Sequence, residues 1–160
     1  MKKSNVVRVE VPRFITHIQT SKLKYAKISG QKIFVGMNHH LRGFIVRKMH
    51  QYLSDYIPDD LDLSHMTPVK IKLQIHAPSN FENVRMVKGT VRWKPPKNGF
   101  NPRWDVDNMW IWGKCFNDTL VEKGILPDDN IAYVQESGGV EWRGVDHLDQ
   151  RKLVFVISKY

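Results

Sequence analysis

Cysteine occurs once, at Cys115, in this chain of 160 residues. One thiol closes no intrachain disulfide, so a secreted disulfide framework is excluded, cysteine-rich zinc sites go with it, and a reducing compartment is implied. Long apolar runs are missing too: nothing approaches the roughly 18 residues needed to cross a bilayer. Behind the basic start Met1-Lys2-Lys3, Arg8 and Glu10 interrupt the stretch from Val6 to Val11, which leaves no apolar core for a secretory signal. The expected location is the cytoplasm, with no membrane partner. Internal repeats and low-complexity tracts are also lacking. Acidic residues are scarce: 16 Asp and Glu stand against 25 Lys and Arg, a net charge of +9. That excess serves either solubility or a polyanionic partner.

The length suits one domain spanning 1–160, and 41% hydrophobic residues suffice for a single core. Alternation marks its strands. Val69, Ile71, Leu73, Ile75 and Ala77 alternate with Lys70, Lys72, Gln74 and His76, the pattern of a half-buried strand. Val7, Val9 and Val11 alternate likewise before Pro12. Leu153 to Ile157 is apolar on both faces, as in a strand covered on both sides. Ile131 to Val134 is a shorter candidate strand, and Gly138-Gly139 reads as a hairpin turn.

Two helices are expected. Asn38 is a candidate N-cap for one running to about Tyr56, with Leu41, Phe44, Ile45, Met49, Tyr52, Leu53 and Tyr56 at helical spacing. The second covers roughly Met109 to Lys123, with Gly124 at a C-cap position and Pro127 beyond. The resulting class is α/β (α+β), a small mixed sheet covered by two main helices. Segment 79–104 fits neither period, apart from a possible hairpin from Val84 to Trp93. With Lys88, Arg92, Lys94, Lys97 and Arg103 among its prolines and tryptophans, it reads as a basic insertion and a DNA-binding candidate.

An acidic island interrupts the basic chain. From Asp105 to Asp129, six carboxylates face only Lys114 and Lys123, a local charge of −4 that leaves +13 for the rest of a +9 chain. Asp105 and Asp107, two apart in an extended stretch before a helix, can point to one side. Asp128 and Asp129 follow that helix. Should the helix bring its two acidic ends together, the mutual repulsion calls for a cation, and oxygen ligands select Mg²⁺, with Mn²⁺ a possible substitute. Beside a basic surface, such a metal activates water and stabilises charge on a phosphate.

The run Asp105-Val106-Asp107-Asn108, then Lys114, Asp118 and Leu120, then Gly124 and Asp128-Asp129, resembles the RusA family of Holliday-junction resolvases of phages and prophages. Upstream, Pro68-Val69-Lys70-Ile71-Lys72 looks like that family's central strand, so the resemblance covers about 68–160. It implies a homodimeric crossover junction endodeoxyribonuclease with a mixed α/β fold, resolving four-way DNA junctions by paired symmetric nicks with Mg²⁺. By the resemblance, Asp105, Asp107 and Asp129 would bind metal and Lys114 would assist at the phosphate. Asp128 and Asn108 would sit behind them, Asn108 as a cap or orienting residue for the Asp pair. Asp118, four residues after Lys114, is better placed to pair with it on one helix face than to ligate metal. The interval from Asn108 to Lys114 is three residues longer than is common in the family, which on a helix displaces the lysine by about 60° and 4.5 Å.

Other chemistry-bearing residues read more plainly. His39, His40 and His50 lack partners at metal-ligand spacing. Trp93, Trp104, Trp110 and Trp112 flank the acidic pair; packing in a core or dimer contact is favoured over stacking on unpaired bases, and Trp110, Ile111 and Trp112 form the candidate dimer contact. Two rival readings stand beside the nuclease: a non-catalytic DNA-binding protein on the same fold, and a metal-dependent nucleotide phosphohydrolase.

Overall fold

A computed structural model of the chain describes residues 4–97 and 105–160. The valine alternation near the start forms strand β1 (Val6–Pro12), which turns Val9 and Val11 inward and pairs antiparallel with the final strand, β8 (Lys152–Lys159). β8 in turn pairs antiparallel with β4 (Val69–Ala77), whose Val69, Ile71, Leu73, Ile75 and Ala77 are all buried. On the far side of β4 lies β7 (Val134–Gly144), parallel to it. The sheet is thus mixed, four-stranded, and ordered β1-β8-β4-β7. One hydrophobic core gathers side chains from Val9 to Ile157.

A parallel pair needs a crossover, and here it contains helix α3 (Trp110–Glu122). α3 lies on the sheet, where Phe116 stacks flat on Phe155 of β8 with ring centroids 3.9 Å apart. Its end follows from Gly124, which takes φ +70° so that the amides of Gly124 and Ile125 can reach the carbonyls of Val121 and Leu120. Helix α2 (His39–Ser54) begins where Asn38 accepts a hydrogen bond from the Leu41 amide at 2.9 Å, and it packs beside α3 through contacts such as Tyr52 on Trp112. The expected α+β class, its three long strands and both helices are therefore present.

Several expectations need correction. Residues 17–27 form a hairpin, β2 (His17–Ser21) and β3 (Lys24–Lys27), followed by the short helix α1 (Gly30–Phe34). None of these carried a period in the sequence, because Ile18 is the only fully buried side chain of that hairpin. Ile131 is exposed in a turn, and the strand expected at 131–134 begins only at Val134. Gly138-Gly139 makes no hairpin: Gly139 pairs with Lys72 inside β7, beside the irregular register between Lys70 and Lys72. Two glycines permit that bulge, with Gly138 at φ +90°. The hairpin foreseen from Val84 to Trp93 is real, with β5 (Arg85–Val87) and β6 (Thr90–Arg92) joined by Lys88-Gly89, both at positive φ.

The expected dimer contact is corrected as well. Ile111 and Trp112 are completely buried within the chain, the latter between Phe14 and Tyr52. Trp110 is 37% exposed and rests on Phe34 and Gly30 of α1. The extra apolar surface of α3 is consumed internally, because α3 is covered by the sheet on one side and by α2 and α1 on others.

Candidate functional site

Asp105 and Asp107 do stand together, but not as two side chains of an extended segment. A short 3₁₀ turn covers Val106–Met109, and Asp105 is its N-cap, accepting a hydrogen bond from the Asp107 amide at 3.0 Å. Both carboxylates are exposed. Capping engages one oxygen of Asp105 and leaves the other outside that bond. Asn108, expected to cap or orient the pair, instead donates to Glu82 Oε1 at 3.4 Å. Glu82 lies in a 3₁₀ turn, Phe81–Asn83, shortly after the C-terminal end of β4.

The late acids occupy a different place. Asp128 folds back on its own loop, accepting from the Asp129 amide at 2.8 Å and from Asn130 Nδ2 at 2.7 Å, and both acids are exposed. That loop packs near residues 59–67, ahead of the N-terminal end of β4. The two acidic pairs are therefore at opposite ends of α3, a helix about 20 Å long at 1.5 Å per residue. The orientation of α3 that would have brought them together is not the one adopted. Among the described residues no group of three or more His, Cys, Asp or Glu side chains is close enough to hold a metal ion. Asp105 and Asp107 remain as a two-carboxylate set of hard oxygen donors, which suits Mg²⁺ with its remaining positions filled by water and phosphate.

Lys114 and Asp118 behave as their spacing predicts: Lys114 Nζ and Asp118 Oδ2 are 3.1 Å apart on α3. This bond turns the ammonium toward the next helical turn, away from Asp107. Asp118 also faces His50 of α2, whose other ring nitrogen is 2.8 Å from Glu122. Lys114 is thus part of an α2–α3 polar seam rather than of the Asp105–Asp107 site.

Of the basic insertion, Lys88, Arg92, Lys94 and Lys97 are all exposed on and around the β5–β6 hairpin, whereas Arg103 lies outside the described residues, as does Trp104. Trp93, expected beside the acids, instead donates its indole N–H to Asn80 at 2.9 Å and meets His147 edge-on. At the base of the hairpin is a cleft that sequence reasoning missed, lined by Lys27, Lys32, Arg85, His17 and Glu82 among others. Lys27 donates to the Glu82 carbonyl at 2.8 Å and approaches its carboxylate at 3.4 Å. Burial lowers the Lys27 ammonium below its usual pKa although Glu82 works the other way, with Lys32 and Arg85 adding to the lowering. Burial, then Lys27 and Lys32, push His17 down to about 4. Only His17's polar position and the scattered lysines hinted at this cleft, since its walls come from four separate stretches of chain.

No known protein-family model and no curated protein matches the chain.

Proposed function

We propose that the protein is a Mg²⁺-dependent endonuclease acting on branched DNA, working as a homodimer that nicks a four-way junction in two places. The observation that carries this reading is the exposed Asp105–Asp107 pair at the N-terminal end of α3 in a chain whose remaining charge is strongly positive. Asp105 and Asp107 would hold the metal, which when bound supplies an activated water and charge stabilisation at a phosphate. The lysines and arginines of the β5–β6 hairpin would hold the flanking backbone. Asp129, beyond the other end of α3, would reach a metal only from a second copy of the chain. A C2 dimer offers that arrangement twice, one site for each of two strands. Lys114, bonded to Asp118, has no assigned role at the phosphate.

The incomplete carboxylate set within one chain gives specific support to a second reading, a DNA-binding protein of the same fold without catalysis. One experiment separates the two. Purified protein is incubated with labelled four-way junction, flap and linear duplex DNA, with Mg²⁺ and with EDTA. Paired nicking of the junction that EDTA abolishes supports the nuclease; junction binding without cleavage under any divalent cation supports the second reading.

A further inference from the structure

The cleft beneath the β5–β6 hairpin has a volume of about 600 Å³ and an unbalanced charge. Three cations line it, Lys27 of β3, Lys32 of α1 and Arg85 of β5, against the single carboxylate of Glu82. Glu82 is itself shared, one oxygen toward Lys27 and the other toward Asn108. His17 adds no charge at neutral pH, since its ring protonates only near 4, but it supplies a neutral ring that can hydrogen-bond. The Lys27 side chain is only 12% exposed, so its amine is held in place and largely stripped of water. Removing water from a cation without fully compensating it costs free energy, and an entering anion would recover it.

We infer that this cleft binds a backbone phosphate of a nucleic-acid strand, with Lys32 and Arg85 as the contacting cations and Lys27 as the fixed cation behind them. Placement selects a phosphodiester over a free small anion. The Glu82–Asn108 contact joins the cleft wall to the residue after Asp107, and the exposed Lys88 and Arg92 continue the positive surface outward along the hairpin. A strand lying in the cleft would therefore pass from the hairpin toward Asp105 and Asp107. The phosphate site is independent of cleavage; its position relative to the carboxylates rests on the nuclease reading.

Because Lys32 and Arg85 are exposed, Lys32→Glu and Arg85→Glu leave the core untouched. Lys159→Glu is the matched control: Lys159 pairs with Val69 at the far end of β4 from Glu82. The first probe is a 5′-phosphorylated thymidine dinucleotide in EDTA, followed by NMR of the His17 ring. Saturable shifts and a raised His17 pKa are expected in the wild type and in Lys159→Glu, and neither in the two cleft variants. The second probe is a labelled four-way junction, titrated in EDTA over a salt series. Each of Lys32→Ala and Arg85→Ala should flatten the slope of log K against log salt by about 1. No saturable shift in the wild type, or equal losses in the cleft variants and the control, overturns the inference. Dinucleotide binding in the cleft by a protein that never cuts DNA in Mg²⁺ overturns the nuclease reading and leaves the cleft standing.

Discussion

Asp107 and Asp129 lie beyond opposite ends of α3, with the whole helix, Trp110–Glu122, between them. If both serve one metal, the two residues come from different chains. Asp107→Asn and Asp129→Asn should each abolish cleavage as pure homodimers while leaving junction binding intact. Mixed after unfolding and refolding together, they should regain activity, since each mixed dimer holds one site with both carboxylates. About a quarter of the wild-type sites are restored if chains pair at random, and only single nicks result. Gel analysis of a junction labelled on all strands checks this; a mixture as inactive as its parents would refute the shared site.

Lys114 gives a sharper test of where the site ends. Its ammonium is bonded to Asp118 and is half exposed, so Lys114→Ala should cut nearly as fast as wild type in single-turnover assays. Stability should fall by no more than about 0.5 kcal/mol, the scale of an exposed pair one helical turn apart. A loss of about 10²-fold in rate would instead mark a preorganised electrostatic group at the phosphate.

Gly30 is needed for space. A Cβ built on it would overlap the indole of Trp110. Gly30→Ala should therefore destabilise the protein by about 1–3 kcal/mol, the usual cost of overpacking, despite the better helix propensity of alanine. Combining it with Trp110→Phe should recover part of the loss, a coupling that a double-mutant cycle in urea would measure.

Acid sensitivity should trace in part to His17. Its folded pKa of about 4 lies below the ordinary 6.5, so between those values the unfolded chain binds the proton more readily and stability falls as pH falls. His76, lowered chiefly by burial and then by Lys152 and Arg143, acts in the same direction. His17→Asn, which keeps a polar group near the Thr16 hydroxyl, should reduce the drop in melting temperature between pH 7 and pH 4.5. An unchanged drop would remove His17 as its source.

The periodic parts of the sequence were the legible parts. Val69 to Ala77 alternates because one side of β4 meets the core at every second residue, and Asn38 and Gly124 punctuate helices through local backbone chemistry. The β2–β3 hairpin was not legible, because its turn at Lys22-Leu23 has no glycine, proline or asparagine and Leu23 is 87% exposed. Spacing identified the Lys114–Asp118 pair, since four residues on a helix always meet. It could not say that Asp107 and Asp129 would stand apart, nor that Glu82 would join Asn108, because both depend on how β4, α3 and β7 connect in three dimensions.

Those strands hold one more consequence. From Val69 to Leu73 β4 advances four residues while its partner advances six, from Val134 to Val140, with the surplus taken up at two irregular points. An even surplus preserves the alternation of faces, which is why Val134 and Val140 both contribute to the same core. β7 thus has a phase, much as a coding sequence has a reading frame. Deleting one residue between Gln135 and Gly139 would throw Val140 and all that follows onto the wrong face, whereas deleting two would restore the count and straighten the outer edge of the sheet. Natural or engineered changes in length here should be tolerated in pairs.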